Sequence, residues 1–258
     1  MALPHVLVVD GPIAAGKSTL VEELKKAYTA GGYKVVTVQE PVELWRTIGM
    51  LGMFYEDQPR FCFTFQVLTY TSRINATVEA FKTPADLYIL ERSVLTDKHI
   101  FMNLQKDVVL PAEMEIYNQF FDLYTKLMPT DLSTATYLYL KPSLGVCMER
   151  VAQRARAEEL LVERKGEKKS GGVDAPYQQR IIAAHDALFE GKASEGHTPP
   201  VERPFPLTSV VVADGKHADG NFLPSSADGA AIVASLVEKL AHRIPPRKVS
   251  DLLQVPVD

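Results

Sequence analysis

Short runs of apolar and β-branched residues take turns along the chain with longer stretches whose apolar positions recur every three or four residues. The short runs fall at 5–10, 34–39, 85–90, 135–141 and 209–214. They lack an apolar and polar alternation, which predicts strands buried on both faces of a parallel sheet. The longer stretches, at 17–29, 60–80, 112–127, 143–159, 177–189 and 228–241, predict helices. Strand following helix throughout implies a doubly wound α/β fold, with five parallel strands flanked by helices. Two polar stretches interrupt the pattern: 163–174, containing "ERKGEKKSGG", and 191–206, rich in Pro and Gly. Both are expected to be mobile surface loops. No internal repeat is visible, and residues 1–258 are read as a single domain.

One predicted helix breaks its own pattern. The stretch 60–80 is apolar or aromatic nearly all round at its start, yet it carries Gln66 and Arg73, almost two turns apart and so on one face. A buried guanidinium needs an acid, and Asp97 in "ERSVLTD" is the expected partner.

Composition changes the picture only by exclusion. The chain is 46% hydrophobic with a net charge of -4 and a pI near 5.9. Without a basic face it is not expected to bind nucleic acid or an anionic membrane. No run approaches the roughly 20 apolar residues that span a bilayer, and no signal or transit pattern precedes the first strand. Cys62 and Cys147 lie in apolar helical patterns, as small hydrophobes do. A cytoplasmic, reducing location is expected.

The chemistry starts at "GPIAAGKS", residues 11–18, which stands after one predicted strand and before a helix. It is a P-loop. Its glycines let backbone N–H groups curl around a phosphate, Lys17 supplies a point charge and Ser18 a hydroxyl for Mg²⁺. The phosphate cradle comprises Gly11, Ala14, Ala15, Gly16, Lys17, Ser18 and Thr19. The next two strands end in Glu40-Pro41 and Glu91-Arg92-Ser93, on the edge where open α/β sheets bind ligands. Two carboxylates and a guanidinium there suit a phosphoryl acceptor. Further on, Arg150, Arg154 and Arg156 precede Glu158 and Glu159. An arginine-bearing lid over phosphates, about 150–176, is expected.

Together "GPIAAGKS", "EPVELW", "FTFQ" with "SRI" after it, "ERSVLTD" with Phe101 beyond, and "RARAEE" resemble the deoxyribonucleoside kinase family, in particular its deoxycytidine and deoxyguanosine kinase branch. The resemblance runs from Val6 to about Phe189. It implies a homodimeric kinase that moves the γ-phosphoryl of ATP, with Mg²⁺, to the 5'-hydroxyl of a deoxynucleoside for nucleotide salvage. On that pattern Glu40 is the general base, Arg92 steadies the acceptor and the transferring group, and Glu91 joins Ser18 at the metal. Tyr55 and Glu159 match the grip on the sugar 3'-hydroxyl. Trp45, Phe65 and Phe101 match the walls around the base, and Gln66 can meet a base edge with two hydrogen bonds. The Arg73 and Asp97 pair goes with deoxycytidine and purine deoxynucleosides in preference to thymidine. The chain departs from the family pattern after Glu159, where "LLVERKGEKKSGGVDA" replaces a short turn into "PY". Two other readings of the same motifs are a thymidylate kinase and a non-catalytic ATP-binding switch.

Overall fold

The computed structural model describes residues 4–154, 156, 158–159, 172–191, 207, 209–223, 225–226 and 228–245. Five strands form one sheet: β1 (His5–Asp10), β2 (Val35–Val38), β3 (Leu87–Glu91), β4 (Thr136–Lys141) and β5 (Ser209–Asp214). Their order is β2-β3-β1-β4-β5, and every pairing is parallel. The strands match the expected ones to within two residues at either end.

Both faces of the sheet are covered because successive strand residues point to opposite sides and both sets are apolar. Leu7 and Val9 of β1, Leu87 and Ile89 of β3, and Leu138 and Leu140 of β4 pack on one side. There they meet Leu20 and Leu24 of α1 (Lys17–Ala30) and Leu236 and Leu240 of the last helix (Gly229–Leu240). Val8, Tyr88, Leu90, Tyr137 and Tyr139 point the other way. This runs through the alternation that makes a sheet doubly wound.

Between β2 and β3 lie α2 (Val42–Thr47), α3 (Met50–Glu56) and α4 (Gln58–Phe81). α4 starts where Asp57 accepts a hydrogen bond from the Arg60 N–H at 3.2 Å, with Pro59 in its first turn. After β3 come a short turn of helix, α5 (Val94–Thr96), a π-helical turn (Asp97–Met102) and α6 (Pro111–Lys126). α7 (Leu144–Arg154) and α8 (Ala175–Glu190) follow β4, and α9 (Lys216–Asp219) and α10 (Gly229–Leu240) follow β5. Asp174 caps α8 through the Tyr177 N–H at 2.7 Å.

The helix expected over 143–159 is shorter than the pattern implied. α7 stops at Arg154, and Glu159 reaches back to both Arg154 and Arg156. A contact across five residues needs a turn, since a continuous helix brings together residues three or four apart. Most of the 163–174 stretch, 192–206 of the second expected loop, and the chain after 245 lie outside the described residues.

Candidate active site

β1 and α1 enclose the P-loop, and its geometry explains its glycines. Gly11 has φ 152° and Gly16 has φ 92°, both in a region that side chains resist. A Cβ on Gly11 would come within 2.5 Å of the Leu140 carbonyl oxygen, and one on Gly16 within 2.7 Å of the Phe222 ring. Lys17 is buried and donates from Nζ to the carbonyls of Pro12 at 2.8 Å and Gly11 at 3.3 Å. Burial lowers its pKa to about 8 and Arg92 adds to the effect, against the pull of Glu91, Glu40 and Asp10. Ser18 Oγ donates to Glu91 Oε1 at 2.9 Å.

The strand ends bring the remaining charges together. Arg73 of α4 forms a bidentate pair with Asp97, Nε to Oδ2 at 2.7 Å and Nη2 to Oδ1 at 3.2 Å. The same guanidinium donates to Glu40 Oε1 and to the Glu91 carbonyl, both at 2.8 Å. The acid expected for Arg73 is therefore present, with a second acid beside it. Arg92 stands on the other side of Glu40, its Nε 3.3 Å from Oε1, in a left-handed backbone conformation with φ 64°. Burial by itself would raise the Glu40 pKa; Arg92, Arg73 and Lys17 overcome that and lower it to about 2. For Arg73 burial works against the charge, but Asp97 and Glu40 outweigh it and hold the guanidinium firmly protonated.

Lys17, Ser18, Glu40, Glu91, Arg92 and Asp97 border a cleft of about 820 Å³. One end is the P-loop with Ala14, Ala15, Gly16, Lys17, Ser18 and Thr19; the other is an aromatic chamber. In the chamber Phe54 stacks on Phe65 at 4.6 Å, and Trp45 meets Phe65 edge-on at 5.6 Å. Gln66 is 2% exposed and its Oε1 has no hydrogen-bond partner, although it borders the cleft. An unanswered acceptor in an apolar chamber is suited to a ligand donor. Tyr55, Phe101 and Glu159 also line the cleft. Burial keeps the Tyr55 hydroxyl protonated, with Tyr177 and Glu159 adding to that effect.

Of the three arginines expected over phosphates, Arg154 and Arg156 border the cleft and pair with Glu159. Arg150 borders the cleft as well, with other partners. Its guanidinium donates to the carbonyls of Ala15, Ala218, Asp219 and Gly220 at 2.7–3.1 Å. Those four bonds tie α7 to the P-loop and to the turn after β5.

Sequence reasoning missed several residues here. Phe54 and Leu51 come from α3, seven residues long and too short to show a period. Asp10, Thr96 and His185 form a buried cluster behind Arg92. The one available signal was the acid ending an otherwise apolar strand, since a buried carboxylate demands partners.

The chain matches the model of the deoxynucleoside kinase family over residues 7–215. It is 37% identical over 157 residues to a probable deoxycytidine kinase of fowlpox virus, covering 60% of this chain and 63% of that protein. To deoxycytidine kinase 1 of Xenopus laevis it is 30% identical over 176 residues, 58% of this chain and 65% of the frog protein. The mitochondrial deoxyguanosine kinase of the same frog is 26% identical over 212 residues, 73% of this chain and 74% of its own. The chain thus spans a little under two thirds of the viral protein and of the frog deoxycytidine kinase.

Proposed function

We propose, from the premise that this chain belongs to the deoxynucleoside kinase family, that it transfers the γ-phosphoryl group of ATP to the 5'-hydroxyl of a deoxynucleoside. The observation that carries this reading is Glu40, an ionised carboxylate in the same cleft as the P-loop lysine, backed by Arg73 and Arg92. The acceptor oxygen forms a bond to the γ-phosphorus as the bond to the β–γ bridging oxygen breaks. ADP leaves, and the hydroxyl proton passes to Glu40 and then to solvent. A carboxylate of such low basicity orients the hydroxyl first and takes the proton late, which suits the loose transition state of phosphoryl transfer. Arg92 and Lys17 meet charge developing on the transferred group.

Ser18 and Glu91 are the residues that would hold Mg²⁺. A hydroxyl and one carboxylate 2.9 Å apart suit an ion that takes few protein oxygens and completes its shell with water and phosphate. Among the described residues no group of three or more His, Cys, Asp or Glu side chains could hold a metal by itself. When bound, the ion neutralises phosphate charge.

The relatives' names point to deoxycytidine and deoxyguanosine, and the chamber supports bases without a methyl at the thymine position. Asp97, held by Arg73, lines the cleft with Gln66, and Thr69 leaves room beside them. Deoxycytidine, deoxyadenosine and deoxyguanosine are therefore the proposed acceptors ahead of thymidine. Tyr55 and Glu159 would take the sugar 3'-hydroxyl. A homodimer is supported by α6, whose Ile116, Phe120 and Leu123, with Leu127 just beyond, leave an apolar stripe exposed. The two free, buried thiols suit a cytoplasmic setting, and no described helix is long and apolar enough to cross a membrane. The test is kcat/KM for the four deoxynucleosides with ATP and Mg²⁺. Thymidine ranking first would overturn the base preference, and absence of transfer to any of them would overturn the function.

A further inference from the structure

Behind Arg92 lies a buried cluster, Asp10, Thr96 and His185, that does not border the cleft. Asp10 and His185 are both fully buried. Asp10 Oδ1 accepts from the Gly11 N–H at 2.8 Å and faces Arg92 Nη1 at 3.4 Å, while Oδ2 accepts from the Thr96 hydroxyl. His185 Nε2 stands 3.4 Å from Arg92 Nη1 and 3.4 Å from Asp10 Oδ1.

The other ring nitrogen decides what Nε2 can do. His185 Nδ1 is 2.7 Å from the Ile181 carbonyl oxygen. That oxygen only accepts, so Nδ1 carries the proton. In the neutral ring Nε2 is then a bare acceptor, and Arg92 Nη1 is the donor beside it. Burial keeps the imidazole neutral, with the Arg92 charge acting in the same direction against the opposing pull of Asp10. Phe101 closes the other side, its ring centroid 4.7 Å below the Arg92 guanidinium carbon and its edge toward the imidazole. Tyr139 stacks on the histidine at 5.9 Å. Arg92 itself is held in a left-handed backbone conformation.

We infer that His185 is a positioning residue: as a neutral Nε2 acceptor it fixes the Arg92 guanidinium so that Nε stays against Glu40, 3.3 Å away. The inference rests on the phosphoryl-transfer reading above. It assigns the far side of this guanidinium to α8, whose Gln178 also donates to the P-loop carbonyl of Ile13 at 2.7 Å.

The experiment compares His185→Gln with His185→Asn, two amides equally foreign to the fold. Gln can place an oxygen near the Nε2 position, whereas Asn can keep the Nδ1 donor to Ile181 and leaves nothing for Arg92. Phosphorylation of deoxycytidine by ATP and Mg²⁺ gives kcat. Fluorescence of Trp45, the single tryptophan, gives deoxycytidine affinity. The expected result is that Asn loses ~10²-fold in kcat, the scale of a misplaced reacting group, while Gln loses at least tenfold less and both bind deoxycytidine within about threefold of the parent. Asn matching or exceeding Gln in kcat overturns the inference, as does a parallel loss of binding and turnover. A second reading uses the unmodified protein: long-range ¹H–¹⁵N correlation of the imidazoles at neutral pH should show His185 protonated at Nδ1 and bare at Nε2. A proton on Nε2 overturns the inference even if neither variant folds. If the unmodified protein transfers phosphate to no deoxynucleoside, the function fails instead, and the tautomer still reports on the contact.

Discussion

Glu40 lies between Arg73 and Arg92, and its low pKa means that a change to Gln removes a charge without removing a proton donor or changing shape. Glu40→Gln should lower kcat by ~10² to 10⁴ while deoxynucleoside affinity stays within a few fold. Near-normal turnover would show that the hydroxyl proton goes elsewhere. Arg73 and Asp97 make an unequal pair. Removing the arginine strands Asp97, leaves Glu40 with Arg92 alone and leaves the Glu91 carbonyl without a donor. Removing the acid leaves Arg73 with its other two partners. Arg73→Met should therefore cost about 3–5 kcal/mol, the range for breaking a buried ion pair, and Asp97→Asn clearly less. Urea unfolding of both variants measures the order, and the reverse order would mean that Glu40 contributes nothing to holding the guanidinium. The Arg73 pairing was legible in the sequence because a guanidinium on an apolar helix must find an acid. Asp10 and His185 were not, because a histidine among apolar helical positions reads as core and only the fold places it behind Arg92.

At the scale of elements, legibility followed length. α4 runs through 24 residues and was visible from its pattern, whereas α2 and α3 have 6 and 7. Two short helices offer fewer than two turns each, too few for a period to emerge. Yet they carry Trp45, Phe54 and Tyr55 into the cleft, so part of the chamber rests on elements held by tertiary packing more than by local preference. The π-helical turn that begins at Asp97 escaped for a related reason: a single wide turn leaves no repeat in the sequence. α6 is the opposite case, with a period that is plain and a face left uncovered. Ile116 and Leu123 are 45% and 54% exposed on that face with Phe120 between them, and contiguous exposed apolar side chains suit a protein contact. The double change Ile116→Glu and Leu123→Glu should convert a dimer into a monomer, as light scattering would show. A parent protein that is monomeric at every concentration, or a variant that stays dimeric, rules out α6 as the contact.

The whole molecule concentrates buried charge at one edge of the sheet, and this gives its stability a direction with pH. His99 stands on the π-helical turn with its ring edge-on to Phe121. Burial, and then Lys98, lower its pKa from 6.5 to about 4. Between those values the unfolded chain binds a proton that the folded one refuses, so stability falls as pH falls through the window. His185 is shifted in the same direction, first by burial, and adds to the loss. Glu40 acts lower down. Its folded pKa of about 2 against an ordinary 4.5 means that its contribution is complete above 4.5 and disappears as pH approaches 2. The protein should therefore weaken in two stages on acidification, one below about 6.5 from the histidines and a steeper one below 4.5 as carboxylates join. Replacing His99 by Phe keeps a ring against Phe121 and removes the titration. Urea midpoints at pH 7.5 and pH 5 should fall less in His99→Phe than in the parent. An equal fall in both would mean that His99 keeps its ordinary pKa in the fold, and the first stage would then belong to His185 and His217, both shifted down by burial.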